Sequence, residues 1–368
     1  MLPDPRPYFA EIIDPRRETK NKLHKLSDIL MIVFCAVLSG IEDWVGMETF
    51  AEDKEVWFRG FLELPNGIPS HDTLSDVLGR LRPGAFADAF LCWTQTALPS
   101  LNGEQICIDG KTLRGSRMDG KAVHLLSAYA AQAQLVLTQT IVDGKTNEIT
   151  AIPDLLSCLD LKGAVVTIDA MGCQKSIAKD IVEAGADYVL ALKDNHPTLC
   201  DDVKLWLDTE TEKGRLEVHE TIEKDHGRIE IRRYVLSTDI EWLLKQHDWT
   251  GLKAVGRIES TRIIGDQTST DYRYYLVSLT DLKRFSDCAR NHWQIENSQH
   301  WVLDVQFGED NNRARIGHSA ANLALVRRMA LNVLRINKPK KYSLKQSKLR
   351  AAINDDYRLE LIFGDQPT

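Results

Sequence analysis

The sequence predicts a protein of the α/β class, in which a small helical domain precedes a sheet buried on both faces. Residues 1–100 carry helix-type apolar spacing and helix-capping residues. From residue 105 onward, short apolar runs alternate with helical patterns, which is the arrangement that α/β folds produce. Residues 200–285 then break this alternation with several strand-like segments, which indicates an inserted β-rich region.

The N-terminal region should become helical shortly after residue 25. Residues 1–25 are rich in proline and charge, so we expect an arm with little structure of its own. Ser27 and Asp28 offer N-caps to the apolar run that ends near Gly40. Residues 43–100 have helical spacing, which is interrupted around residues 65–69; a helix capped by Ser70 should follow and end at residues 82–83.

The next elements come in the order of an RNase H-like core. Three β-type runs predict an antiparallel meander, at residues 105–108, 123–130 and 135–142. They are followed by a helix, an apolar strand, a second helix and another apolar strand, at residues 153–161, 164–168, 175–184 and 188–192. Apolar strands joined by helices are typical of parallel strands that are covered on both faces.

Strand-like segments and two long helices fill the rest of the chain. The strand-like segments are residues 215–222, 228–236, 252–264 and 270–279, and the helices are residues 285–305 and 320–336. We therefore divide the chain into an N-terminal helical domain (1–100), a first part of the core (101–200), a β-rich insertion (201–285), a second part of the core (286–340) and a C-terminal tail (341–368).

Composition excludes several classes of protein. The 368 residues carry a net charge of −7 and include seven scattered cysteines without a CxxC pair, which argues against a disulfide framework or a structural zinc site. No signal peptide opens the chain and no apolar run approaches the ~20 residues that cross a bilayer, so we expect a cytoplasmic protein without a membrane partner.

The charge is distributed unevenly. A net negative charge counts against a compact nucleic-acid-binding domain. Residues 311–354, however, contain eleven Lys and Arg residues and no Asp or Glu. Such a run can bind phosphates, although from charge alone we favour a solvated helix face and a loose tail.

Two aspartates are the first candidates for chemistry. Asp109 follows the apolar run QICI, and Asp169 follows VVTI. The first and fourth strands are neighbours in an RNase H-like sheet, so the two carboxylates can converge. Oxygen ligands suit Mg²⁺, and two such ions ~3.5–4 Å apart can assist an in-line phosphoryl displacement.

A third acid would complete such a site, and Glu296 is one candidate. On an α-helix, His292, Glu296, His300 and Leu303 would share one face. From spacing alone, an ordinary surface acid is the favoured interpretation of Glu296, and Asp304, Glu309 and Asp310 compete with it. His292 and His300 lack HExxH spacing, and neither a P-loop nor a GxGxxG motif occurs.

At these residues the chain resembles the DDE insertion-sequence transposases of the ISAs type, close to the bacterial H-repeat-associated proteins. The matching stretches span nearly the whole chain: KLSDIL (25–30), NGIPSHDTL (66–74), IDGKTLRGS (108–116), TNEITAIPDLL (146–156), TIDAMGCQ (167–174), HGRIEIRR (226–233) and RNHWQIENSQHWVLDVQFGED (290–310). The chain departs from relatives at Leu303, where a basic residue is common, and at Asp194, which adds a negative charge.

The resemblance implies a helical associated domain, an RNase H-like catalytic domain and a metal triad that maps onto Asp109, Asp169 and Glu296. It implies Mg²⁺-dependent cleavage of DNA at element ends and transfer of the 3′-hydroxyl to target DNA, with Mn²⁺ as a substitute metal. It also implies a homodimer in a synaptic complex. By the same match, the candidate DNA or phosphate contacts are Lys111, Arg114, Lys193, Arg228, His292 and His300.

Three alternatives stay open at the level of sequence. The first is a domesticated or inactive relative that binds DNA without transposing. The second is a nuclease on the same fold that cuts without strand transfer. The third is a glycoside hydrolase that uses paired carboxylates and needs no metal.

Overall fold

A computed structural model describes residues 1–20, 22–142, 148–225 and 227–364, with residue 225 described by its backbone only. Parts of two quoted stretches, residues 146–147 and 226, lie outside the described residues, as do the last four residues of the predicted tail.

Helices and strands alternate along the described chain. The helices are α1 (Arg6–Ala10), α2 (Leu26–Leu38), α3 (Trp44–Asp53), α4 (Glu55–Phe58), α5 (His71–Arg80), α6 (Pro83–Ala97), α7 (Glu148–Ser157), α8 (Lys175–Glu183), α9 (Pro197–Glu212), α10 (Glu241–Gln246), α11 (Leu282–His292), α12 (Trp301–Phe307), α13 (Ser319–Ile336), α14 (Leu344–Ile353) and α15 (Asp355–Phe363). The strands are β1 (Gln105–Thr112), β2 (His124–Ala130), β3 (Leu135–Val142), β4 (Val165–Ile168), β5 (Asp187–Leu192), β6 (Val218–Asp225), β7 (Arg228–Ser237), β8 (Ala254–Ile264) and β9 (Gln267–Val277). The predicted mixed α/β class with a helical N-terminal region is confirmed.

The chain forms two compact units, and each is built from separate segments. The helical unit comprises Met1–Ser100, Gly110–Asn147 and Glu296–Thr368, whereas the sheet unit comprises Leu101–Asp109 and Glu148–Ile295. Strand β1 contributes its first five residues to the sheet unit and its last three to the helical unit.

The sheet unit contains strands in the order β1-β4-β5-β9-β8-β7-β6. Strands β1, β4 and β5 are parallel, and β9 adds to β5 in the antiparallel direction. The predicted β-rich insertion therefore extends the sheet of the core, and it also includes the helices α9 and α10. Strand β4 is buried along its whole length, because apolar side chains on both of its faces are covered.

The helical unit is organised around two buried helices. In α2 every residue from Asp28 to Leu38 is buried, and α13 is buried from Ser319 to Leu334. The β2–β3 hairpin belongs to the same unit, and the Thr94 hydroxyl of α6 donates to the Leu137 carbonyl oxygen of β3 at 3.0 Å. None of the helices in the part of the chain that the structure describes is both long and apolar enough to span a membrane.

Three segments differ from the sequence predictions. The arm expected at residues 1–25 contains α1, with Phe9 buried, because its few apolar side chains find a cover in the helical unit. The predicted tail contains α14 and α15, whose starts are capped by Ser343 and Asn354. The single helix expected at residues 285–305 is interrupted by a π-helical turn, Ile295–His300, so α-helical spacing does not apply across it.

Candidate active site

Asp109 and Asp169 follow directly after two paired residues of neighbouring parallel strands. The register of β1 and β4 ends at Ile108 opposite Ile168. Neighbouring strands lie ~4.8 Å apart, so the backbones of the two aspartates lie side by side just beyond the paired segment. Strand β1 continues to Thr112, beyond the run predicted at residues 105–108, whereas β4 ends at Ile168. The predicted pairing of the first and fourth strands is confirmed.

The loop after β4 holds the Asp169 carboxylate in place. One of its oxygens, Oδ1, accepts from the backbone N–H of Met171 at 3.0 Å and from that of Gly172 at 3.3 Å. A Cβ at Gly172 would lie 3.0 Å from the Ile152 side chain and closer still to that of Ile168. Glycine is therefore required where the loop turns back over the strand.

The loop after β5 is fastened to the loop after β4. The Asn195 side chain donates from Nδ2 to the Ala170 carbonyl oxygen at 2.7 Å, and Nε2 of His196 lies 2.7 Å from the Cys173 carbonyl oxygen. Lys193 and Asp194 begin this loop and are exposed. The loop thus presents one positive and one negative side chain at the edge of the sheet where Asp169 lies.

His292 connects α11 to strand β4. Its Nδ1 lies 2.9 Å from the Thr167 hydroxyl, which also accepts from Gln105 Nε2 at 3.1 Å. Burial lowers the pKa of His292 to about 4, against an opposing effect of the Asp169 carboxylate. The ring is therefore neutral near pH 7, so any contact with a phosphate would be a neutral hydrogen bond.

Glu296 lies in the π-helical turn and is exposed. It belongs to the helical unit, whereas Asp109 and Asp169 belong to the sheet unit, and the convergence of all three carboxylates stays a prediction. Across residues 1–20, 22–142, 148–225 and 227–364, no group of three or more His, Cys, Asp or Glu side chains is arranged to hold a metal ion. The oxygen donors of Asp109 and Asp169 nevertheless match the ligand chemistry of Mg²⁺.

His300 is the last residue of the same turn. Burial lowers its pKa to about 3, and the positive charges of Arg328 and Lys111 add to this effect. Like His292, it is neutral near pH 7 and cannot act there as a cation toward DNA.

A buried ion cluster occupies the helical unit, and sequence reasoning did not find it. The Lys111 ammonium donates to Glu309 at 2.8 Å and forms an ion pair with Asp304, and Arg328 donates to the other oxygen of Glu309 at 2.8 Å. Burial alone would raise the pKa of Glu309, but Arg328 and Lys111 lower it to about 2. The signal was the arginine pair inside the apolar pattern of α13, because a buried guanidinium needs a partner.

The cluster changes how several predicted residues are interpreted. Lys111 is buried between two carboxylates, so a phosphate would have to displace them. Arg114 has a highly exposed side chain whose Nε lies 3.4 Å from Asp310. Arg228 is also exposed, with Nε 3.2 Å from Glu230. Of the predicted contacts, Arg114, Lys193 and Arg228 are therefore the accessible cations.

The acid-free run at residues 311–354 is only partly on the surface. Arg327 and Arg328 are buried in α13, where the sequence analysis favoured a solvated face. The basic side chains that follow α13 are mostly exposed.

Comparisons with known proteins cover nearly the whole chain. A family model described as "Transposase DDE domain" matches residues 102–333, and one described as "DDE_Tnp_1-associated" matches residues 7–94. The "Uncharacterized protein in dhlA 3'region" of Xanthobacter autotrophicus is 49% identical over 76% of this chain and 96% of its own length. The "H repeat-associated putative transposase YhhI" of Escherichia coli K12 is 38% identical over 96% of both chains. A piggyBac transposase in a synaptic complex with hairpin DNA aligns with a TM-score of 0.40 and 12% identity, over 98% of this chain and 78% of that one, which is too distant a likeness to carry an argument.

Proposed function

The chain belongs to the DDE transposase family, and we propose that it is a divalent-metal-dependent enzyme that cuts DNA at the ends of a mobile element and joins the 3′-hydroxyl to target DNA. The observation that carries this proposal is the position of Asp109 and Asp169, each one residue beyond the paired Ile108 and Ile168. Two acidic residues directly after the paired segment of adjacent parallel strands can begin a metal site for phosphoryl transfer.

Asp109, Asp169 and Glu296 would hold the metal. Mg²⁺, when bound, would lower the pKa of an attacking water or 3′-hydroxyl and neutralise charge on the leaving oxygen. The chain's own part is to orient its carboxylates. The backbone N–H groups of Met171 and Gly172 fix Asp169 Oδ1, which directs the second oxygen away from the loop.

The three rival acids of the sequence analysis already pair with cations of this chain. Glu309 is fully buried between Lys111 and Arg328, so its charge is already neutralised. Asp304 pairs with the same lysine, and Asp310 with Arg114. Glu296 is chosen on the resemblance to the family, and its side chain is exposed on the turn between α11 and α12.

DNA would be held in part by the accessible cations. Lys193 follows β5 at the same edge of the sheet as Asp169, so it is well placed to meet a phosphate near the reacting bond. Arg114 and Arg228 are exposed and only partly neutralised by neighbouring carboxylates. His292 and His300 would contribute neutral hydrogen bonds at most.

The test is a strand-cleavage assay on a duplex that carries the DNA flanking the gene, which should contain short inverted repeats. The wild-type protein should nick these ends in Mg²⁺ and form joined products, and EDTA should stop both reactions. Asp109→Asn, Asp169→Asn and Glu296→Gln should each lower cleavage at least ~10³-fold while DNA binding persists. Asp160→Asn, which removes an exposed carboxylate after α7, is the matched control and should cut normally.

Each rival function predicts a different pattern of products. An inactive relative would bind the ends without nicking them, and a nuclease would nick without joining. Undiminished cleavage by Asp109→Asn would refute the proposed site. Activity that survives EDTA would refute the requirement for metal. Size-exclusion chromatography with and without DNA would test the homodimer that we expect in the synaptic complex.

A further inference from the structure

The basic residues after α13 form a surface that the proposed active site does not use. We define the C-terminal basic surface as Lys338, Lys340, Lys341, Lys345 and Arg350. All but Lys338 are exposed, and Lys338 is half-buried. In the part of the chain that the structure describes, none of the five pairs with a carboxylate.

Clustering these cations carries an electrostatic penalty, since like charges repel and no acid from residue 311 to residue 354 offsets them. Two of these cations nevertheless contact the same aromatic ring. The Tyr342 ring lies 5.1 Å from the Lys341 ammonium and 4.5 Å from the Arg350 guanidinium. A cation–π contact keeps the charges together without neutralising them.

The surface borders a cavity of about 270 Å³ in the helical unit. Its wall contains no acid and consists of Gln134, Asn297, Ser298, Val302, Arg335, Lys338 and Leu344. Leu344 is the first residue of α14, so the positive end of that helix dipole also lies there. Asn297 and Ser298 directly follow Glu296 in the chain.

The Arg335 guanidinium stiffens this wall. It donates to the backbone carbonyl oxygen of Gln134 at 3.2 Å and to that of Ser298. Arg335 thereby ties the end of α13 to the π-helical turn that carries Glu296. The cavity is thus a preformed, positively charged recess. Two of its lining residues, Asn297 and Ser298, directly follow the proposed third ligand in the chain.

We infer that the C-terminal basic surface and this cavity bind the phosphate backbone of duplex DNA that leads to the Glu296 turn. The inference rests on the proposed function, because it assigns a further part of the same substrate. The recess supplies charge, a helix terminus and neutral hydrogen-bonding side chains. These groups recognise phosphates regardless of base sequence.

The experiment measures the dissociation constant of the full-length protein for a duplex of random sequence, as a function of NaCl concentration. The triple variant Lys338→Gln, Lys340→Gln and Lys341→Gln should bind at least ~10-fold more weakly near 0.1 M salt. The magnitude of its log–log salt slope should fall by about 0.9 for each phosphate that the variant no longer neutralises. The Lys→Arg triple variant should keep both the affinity and the slope.

A matched control has the same change in net charge at exposed lysines of the sheet unit, Lys162→Gln, Lys175→Gln and Lys245→Gln. It should bind almost as the wild type does. Asn297→Asp, which puts a negative charge at the cavity without removing a lysine, should also weaken binding. Circular dichroism and melting curves should match the wild type, because none of the altered side chains is fully buried.

The outcomes separate this inference from the proposed function. If the triple variant and Asn297→Asp bind with the wild-type affinity and slope, the inference is refuted and the active-site proposal is untouched. If the wild type binds DNA through this surface but never nicks element ends, the proposed function fails and the inference survives. A wild type that binds no duplex would refute both.

Discussion

The buried ion cluster yields a prediction whose size follows from the structure. The perturbation is Glu309→Gln, which keeps the shape of the side chain and removes its charge. Lys111 and Arg328 would then be buried cations without their central carboxylate. Breaking a buried ion pair by removing one partner typically destabilises a protein by ~3–5 kcal/mol.

The shifted pKa of Glu309 leads independently to a similar magnitude. Its pKa falls from the ordinary value of 4.5 to about 2. At ~1.4 kcal/mol for each pKa unit, this shift corresponds to ~3 kcal/mol of folding free energy at neutral pH. Because the folded-state pKa is lowered, this stabilisation is complete above about pH 4.5 and is lost as the pH falls toward 2.

The assay is urea unfolding followed by fluorescence, at pH 7 and at several lower pH values. Glu309→Gln should lower the unfolding free energy of the helical unit by ~3 kcal/mol at pH 7, and the difference from wild type should shrink below about pH 4.5. Glu183→Gln breaks an exposed pair with Lys179 and should change stability by less than ~1 kcal/mol. Equal midpoints for Glu309→Gln and the wild type at pH 7 would show that the cluster does not stabilise the fold as argued.

Arg328→Met provides an independent check through a double-mutant cycle. Alone it should destabilise the protein by a similar ~3–5 kcal/mol, because Glu309 then loses its closest guanidinium. Combined with Glu309→Gln, the loss should be clearly smaller than the sum of the two single losses. Strict additivity would contradict a direct interaction between the two side chains.

Three further predictions concern single residues. Gly115→Ala should destabilise the protein by ~1–3 kcal/mol in urea unfolding, because an added Cβ would lie less than 3.0 Å from backbone carbonyl oxygens. Gly84 in α6 has open space where a Cβ would lie, so Gly84→Ala is the control and should be neutral or stabilising. The pKa of His300 is lowered to about 3 in the folded protein, so between pH 6.5 and 3 the unfolded state binds a proton that the folded state does not. The unfolding free energy should therefore fall below pH 6.5 by up to ~1.4 kcal/mol for each pH unit. His300→Gln should lose that part of the slope, and an unchanged slope would contradict the burial argument. Thr167→Val removes the hydroxyl beside His292 and should lower the unfolding free energy by ~1 kcal/mol. The same variant should also slow strand cleavage. A normal rate of cleavage would show that this contact is only structural.

The chain order of the core could be predicted because its elements carry local signals. The run before Asp169 is apolar at every position but one, and such a strand is stable only when both faces of the sheet are covered. The adjacency of Asp109 and Asp169 was expected because the first and fourth strands are neighbours in an RNase H-like sheet, whose element order this chain follows. The N-terminal helices could be predicted in part: Ser70 caps α5 as expected, whereas the predicted caps Ser27 and Asp28 lie inside α2.

The helical interruption at Ile295–His300 could not be predicted, because a single π-helical turn is too short to leave a recognisable change in the apolar pattern of the surrounding helices. The strand pairing of the β-rich insertion could not be predicted either. Alternating residues predict strands, but hydrogen bonds to a partner strand decide that β9 pairs with β5 and extends the core sheet.

By itself, the sequence determined the mixed α/β class, the strands that lead into Asp109 and Asp169, and membership of the transposase family. Only the tertiary structure decided which charges are available. Lys111 meets Glu309 across 198 residues of chain, and the pair is buried with Arg328 instead of facing a ligand. Burying a charge without a partner is costly because the charge loses its hydration, so Lys111, Glu309 and Arg328 each lie beside an opposite charge in the folded protein. Which residues become such neighbours depends on the tertiary structure, because no local pattern of residues encodes their proximity.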